Sequence, residues 1–488
     1  MSEINFRDTV SSILGKFPMV ERPEWHVHFK TKLAWTVGIL VLFFALGNVP
    51  LFGLSPESMD LFGRWRAIFA GERFSLTALG IMPIVDASIV LQLLVGAGIV
   101  KLNLSDPKDQ AFYQNIQKLL VLVFAAFISL TYVIGFYLPN SEIAAQLGVS
   151  LRFISFLLFI QVFMGGMLIY FMDEVVSKWG IGSGVSLFII AGVSQQVITG
   201  LISWMPDESG WAVGVIPRWI EIVQQVPGYE IIEGGVIFLF QNNLIALIST
   251  IAVFFTVVYL ESTRLEIPLA HAVARGARGK FPIKLLYASV LPMILVRALQ
   301  ATIEGFGRML VSRGITIFGT YDEYGNAISG LMYYLSPIYS PSDWYPALVH
   351  LYSPTIMDWQ IVLRLAVDLS FMIIGGAIFA LFWINTTGMG AKDVAAQIHR
   401  SGLQIPGHRR TVATIERLME GYIPKIALMG GAILGVLCVL SNMFGTLGQA
   451  SGTGLLLAVS IAYRLYEDVA SEQMMEMYPT MRRFFGGE

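Results

Sequence analysis

Apolar runs long enough to cross a membrane recur along this chain, and they leave few folds open to it. They occupy 33–53, 76–97, 117–138, 152–172 and 182–203, then 236–260, 285–306, 360–384, 424–446 and 453–471. A helix needs about 20 mostly apolar residues to cross roughly 30 Å of hydrocarbon, where its backbone groups must be satisfied internally. The expected fold class is therefore all-α and polytopic, with ten transmembrane helices. Composition agrees: 55% of the residues are hydrophobic and 14% are charged, against about 25% charged in soluble proteins. A single cysteine, Cys438, excludes a disulfide scaffold. About thirty polar and mixed residues precede the first run, which is not the pattern of a cleavable signal peptide.

Charge placement sets the expected orientation. With the N-terminus inside, the inside segments carry 23 Lys and Arg residues and the outside segments 7, while Arg297 and Arg364 fall within spans. A bias of that size places both termini in the cytoplasm of a multi-pass cell-membrane protein. Two inside loops, 261–284 and 385–425, are long and basic, and carry Arg264, Arg275, Arg278 and Lys280, then Arg409 and Arg410. The outside connection 54–75 contains an amphipathic stretch with Met59, Leu61, Phe62, Trp65, Ile68 and Phe69. Such a stretch reads equally as a segment lying on the membrane surface.

No glycine–lysine phosphate loop, HExxH zinc motif or paired CxxC occurs, so the sequence supports neither nucleotide hydrolysis nor a structural metal. No cofactor and no catalytic residue is expected. Two spans carry internal prolines, Pro83 in LGIMPIVDASIVLQLLVGAGI and Pro292 in ASVLPMILVRALQ, and each is expected to kink its helix.

Those stretches, with DEVVSKWGIGSGVSLFIIAGVSQ, ESTRLEIPLAHAVARGARGKFPIKLLYASVLP and GTGLLLAVSIAYRLYED, resemble the SecY family, the central (alpha) subunits of the Sec protein-conducting channel, especially in its archaeal form. The resemblance runs over essentially the whole chain. It implies two inverted-repeat halves of five spans, 1–205 and 206–488, and a short plug helix at about 57–70 closing the pore from outside. It further implies a channel that passes unfolded secretory polypeptides, binds signal sequences, and releases transmembrane segments sideways into lipid. SecE (gamma) and beta subunits and the ribosome are the implied partners, with Arg264, Arg275, Arg278, Lys280, Arg409 and Arg410 facing the ribosome.

The pore ring implied by the resemblance is Ile81, Val85, Val185, Ile189, Leu291, Ile294 and Leu457. Spacing is compatible with it, because the first two pairs are i,i+4 and the third i,i+3, so each lies on one helix face. The implied lateral gate is marked by Asp86, Gln92, Val290 and Arg297. Asp86 and Arg297 depart from the family, which usually has uncharged residues there. At 1.5 Å per residue, Asp86 lies about 15 Å from the outer end of its span, near the midplane. Such charges usually face a partner or water. The expectation is that Asp86 and Arg297 pair across the gate, the alternative being that each faces an aqueous funnel. Arg364 and Asp368, i,i+4 on span eight, are expected to pair within their helix. A secondary transporter with a midplane site at Asp86/Arg297 stays open as a second function. An intramembrane enzyme using Asp86 and Asp368 lacks a recognisable motif.

Overall fold

The computed structural model describes residues 20–25, 27–58, 66–96, 99–100, 102, 107–207, 210–271, 278–287, 291–312, 314–321, 326–400, 403–404, 411–448 and 450–477. In chain order the helices are α1 (Phe29–Gly47), α2 (Arg66–Phe69), α3 (Met82–Gly96), α4 (Pro107–Gly135), α5 (Ser141–Leu147), α6 (Leu151–Trp179) and α7 (Gly184–Ile202). They continue with α8 (Val215–Gln225), α9 (Gly228–Gln241), α10 (Leu244–Ser262), α11 (Leu291–Ser312), α12 (Gly330–Leu335) and α13 (Pro346–Tyr352). The last are α14 (Asp358–Thr386), α15 (Ala391–Arg400), α16 (Val412–Phe444) and α17 (Gly452–Met477).

Nine of the ten apolar runs fall on one helix each; the sixth, 236–260, is broken at Asn242 and Asn243, so that 236–241 ends α9 and 244–260 lies on α10. Among the described residues, α1, α4, α6, α7, α10, α14 and α16 are long and apolar enough to cross a membrane. The other three differ for physical reasons. α3 is only 15 residues long, α11 carries Arg297, Glu304 and Arg308, and the second half of α17 is rich in charge.

The expected kink at Pro83 is not what forms, because Pro83 is the second residue of its helix, α3; the segment before Pro292, 288–290, lies outside the described residues. In the first helical turn a proline's missing N–H costs nothing and its fixed φ favours initiation. Span two is accordingly not one helix from residue 76. Residues 76–81 are turns, and the helix starts at Met82.

The fold is predominantly helical, as expected, with one small sheet added to it. The two basic loops contribute strands β1 (Arg264–His271), β2 (Arg278–Lys284) and β3 (Leu403–Gln404), in the order β2-β1-β3. β1 and β2 form an antiparallel hairpin, and β3 pairs with the far end of β1 at Ala270↔Gln404 and His271↔Leu403. Sequence alternation carries the signal: Leu265, Ile267 and Leu269 alternate with Arg264, Glu266 and Pro268, a period of two.

Most of the interior is one apolar cluster running through α1, α3, α6, α7, α11 and α17. A second, including Ile283, Val394, Ile398, Ile415 and Met419, seats α15 on α14 and α16. A third, including Met332, Tyr333, Val349 and Ile361, folds the 327–356 connection onto the start of α14. The α14–α16 contact is built on glycine. A Cβ on Gly376 would lie 2.7 Å from the Gly431 carbonyl oxygen, and one on Gly435 2.5 Å from that of Met372. Membrane helices approach this closely only where small residues line the contact.

Gly431→Val should force these backbones apart. The expected loss is about 3 kcal/mol, the upper end of overpacking costs, read as a lowered unfolding temperature in detergent. An unchanged melting curve would show that the contact is dispensable.

A candidate channel waist and its buried charges

The waist is assembled where irregular backbone meets helix starts. The Ile81 amide donates to the Phe69 carbonyl at 2.8 Å, tying the end of α2 to the entry of α3. Gly80 sits at φ +52 directly over that same carbonyl, a position no Cβ could share. The end of α2 and the residue after it are buried, at Ile68, Phe69 and Ala70. Ala70 rests on Gly192 of α7, its Cα 3.7 Å from where a Cβ would stand.

The seven ring positions belong to this neighbourhood. Ile81, Val85, Ile189, Ile294 and Leu457 are buried members of the main apolar cluster, and Val185 and Leu291 are partly buried against it. They come from α3 or its entry turn, α7, α11 and α17, while α17 packs on α7 and α3 on α11. Asp173 holds the start of α7 by accepting the Val185 N–H at 2.8 Å, which caps a helix N-terminus with a carboxylate. Of the plug positions, Ile68 and Phe69 are buried; Met59, Leu61, Phe62 and Trp65 lie outside the described residues.

Arg297 does not pair with Asp86. It is fully buried and donates through Nη1 to Asp368 Oδ1 at 3.2 Å and to Gln300 Oε1 at 2.7 Å. Its Nε reaches Thr453 Oγ1 at 3.3 Å. Gln300 also donates to Asp368 Oδ1, at 3.1 Å, so α11, α14 and α17 share one polar knot. Arg364 does not pair with Asp368 either. It donates to the Ser336 and Pro337 carbonyls at 3.1 and 3.0 Å, approaches Asp343 at 3.8 Å, and lies over the Tyr333 ring. The backbone between α12 and α14 enters the interior and takes Arg364, Gln300 and Asp368 as its partners, and Arg297 is held by the side chains of Asp368 and Gln300. The Leu335 carbonyl accepts from Gln300, and the Ile338 amide donates to Asp368 Oδ2. Sequence reading weighed only charge against charge and missed the backbone as a competitor.

Asp86 is buried on α3 and forms no ion pair among the described residues. Gln92, also on α3, is buried, and its Oε1 has no partner among the described residues. α3 packs against both α11 and α14, so the side where a gate is expected is closed. Val290 lies outside the described residues.

The basic loops are anchored at their base. Arg264 Nη2 lies 3.2 Å from Glu467 Oε1, and Lys284 bonds the other oxygen of the same carboxylate. Arg278 and Lys280 stand on β2, paired with Ala270 and Pro268 of β1. Arg275, Arg409 and Arg410 lie outside the described residues. Among the described residues no group of three or more His, Cys, Asp or Glu could hold a metal ion.

Breaking the buried pair should be costly, because removal of one partner strands the other charge. Arg297→Ala or Asp368→Ala should each lose about 3–5 kcal/mol. In a double-mutant cycle the two should couple strongly, whereas Asp86→Ala and Arg297→Ala should be additive. Additivity of Arg297 with Asp368 would refute the pairing.

Comparison with known proteins agrees with this architecture. Residues 75–466 match the SecY family model, and residues 41–73 match the plug domain of Sec61p. The protein translocase subunit SecY of Archaeoglobus fulgidus is 56% identical over 97% of each chain. That of Haloferax volcanii is 51% identical over 99% of this chain and all of its own. Among solved structures, a protein-conducting channel superposes with a TM-score of 0.79 at 37% identity, covering 96% of this chain and 98% of its own. Sec61 in a canine ribosome-channel complex superposes at 0.76, with the same identity and coverage. A full-length match of this depth, on helices that carry both a plug segment and the ring positions, places the chain in the SecY family.

Proposed function

We propose that this chain is the central pore-forming subunit of a protein translocation channel. It passes unfolded polypeptides across the membrane and releases apolar segments sideways into lipid. The observation that carries this reading is that aliphatic positions from α3, α7, α11 and α17 share one apolar cluster with the buried end of α2. A narrow aliphatic neck holds no continuous water, so it stops ions. It offers no fixed hydrogen-bond partner either, so it accepts any sequence that widens it. The segment Ile68–Ala70, bonded to Ile81, is the closed stopper.

The ten helices then form two halves, 1–205 and 206–488, with both termini in the cytoplasm as the charge bias requires. Pro83 and Pro292, at corresponding places in spans two and seven, support the repeat. The seam between α3 and the α11/α14 pair is the lateral exit. A SecE (gamma) subunit and a beta subunit complete the assembly. The ribosome docks on the β1–β2 hairpin and the 385–425 loop, whose basic residues meet RNA phosphate. A transporter using Asp86 and Arg297 is disfavoured, since Arg297 is committed to Asp368, Gln300 and Thr453 in a buried site.

Replacing Ile81, Val85 and Val185 with serine should make resting channels conduct ions in planar bilayers, and unchanged conductance would remove the ring assignment. Arg278→Glu with Arg409→Glu should weaken ribosome binding. The loss should be steepest in low salt, because phosphate contacts release counterions. Wild-type affinity in low salt would count against this docking site.

A further inference from the structure

The connection between α7 and α10 contains a helix built inside out. On α8 the charged residues turn inward. Arg218 is buried, pairs with Asp207 and donates from Nε to the Ala212 carbonyl at 2.9 Å. Glu221 accepts the Ala212 N–H at 3.0 Å. The opposite face is apolar and exposed: Ile216 is 46%, Ile220 42% and Val223 71% accessible, with Trp219 half-buried beside them. A helix against water shows the reverse arrangement.

This face continues a surface that belongs to lipid. Ile216, Trp219, Ile220 and Val223 line a shallow groove of about 470 Å³ with Leu244 and Leu247, the first turn of α10. α10 is apolar enough to span a membrane, and its Ile248 and Ile251 are exposed along the same side. The indole N–H of Trp219 donates to the Asn242 carbonyl at 3.0 Å, fixing α8 at the level where α10 begins. Tryptophan is enriched at that depth because its ring is apolar and its N–H polar.

We infer that α8 is an interfacial anchor whose Ile216/Trp219/Ile220/Val223 face takes lipid hydrocarbon from the leaflet opposite the basic loops, in the groove against α10. The inference rests on reading α10 as a membrane span. Amphipathic helices of this kind lie in the interface with the apolar face immersed. Here the polar face is satisfied by protein, so the anchor is fixed to the chain that joins the two proposed halves.

The test uses the full chain with its small subunits in phospholipid vesicles, carrying an environment-sensitive fluorophore at V223C, Q225C or I251C. Cys438 is fully buried and does not compete for label. The Val223 label should be severalfold less accessible to aqueous iodide than the Gln225 label. Nitroxide-bearing lipid should quench it as strongly as the Ile251 label. Equal iodide access at 223 and 225 would overturn the anchor. Protection from both quenchers would assign the face to a protein and overturn it too. An Ile251 label untouched by lipid would remove the span reading, and the anchor with it.

Discussion

Irregular backbone inside an apolar protein must find hydrogen-bond partners within that protein, because hydrocarbon supplies none. Two segments of this molecule meet that demand in different ways. Between α1 and α3 the chain bonds largely backbone to backbone: Leu51 N bonds Phe74 O, Leu76 N bonds Val49 O, and Ile81 N bonds Phe69 O, with Gln161 of α6 serving both polar groups of Phe52. Between α12 and α14 it uses side chains instead. Arg364, Gln300 and Asp368 take the exposed backbone groups of residues 335–338. The intramembrane charges of the second half are thus explained by the backbone they serve. An ion pair alone would recover little after desolvation, but a pair that also satisfies buried backbone groups avoids their penalty.

That arrangement also neutralises a charge beside the proposed waist. Arg297 stands on the same helix as Leu291 and Ile294, yet its guanidinium is turned to α14 and α17, where Asp368 and Thr453 hold it. Were it free, it would put a fixed cation beside an aliphatic neck and select against basic segments passing through. Neutralising it against Asp368 leaves the aliphatic cluster without an unpaired Arg297 charge. The proposed pore therefore depends on a polar knot built on two of its own helices, α11 and α17, and closed by Asp368 of α14.

Much of this was legible in the sequence, because lipid imposes a length and polarity rule that seven of the described helices meet in full. Helix starts were less legible. Reading hydropathy alone put span two at residue 76, when Pro83 already marked a first turn starting near Met82. The β1–β2 hairpin is visible as alternation in RLEIPLAH, a period of two that hydropathy averaged over a span-length window hides. The partner of Arg297 was not legible at all. Asp368 lies 71 residues away, and its competing obligations to Gln300 and Ile338 exist only once the 327–356 connection has folded inward. Spacing within one helix favoured Arg364 as its partner, and tertiary backbone demand overrode that.

The same bookkeeping distinguishes the seams between helices. α14 and α16 meet backbone to backbone through Gly376, Gly431 and Gly435, a contact that cannot slide without steric loss. α3 meets α14 differently, where Gly96 faces the ring of Phe382, a side chain that can rotate away. On α3, Gln92 Oε1 is buried without a partner among the described residues. An unsatisfied buried carbonyl costs about 1–3 kcal/mol, a penalty that hydration or an incoming polar backbone would relieve. Closing α3 onto α11 and α14 buries apolar surface together with Asp86 and Gln92 of α3, whereas the glycine contact joins backbones directly. The seam proposed as the exit to lipid is thus held by side chains, which can rotate apart, and not by interlocked backbone.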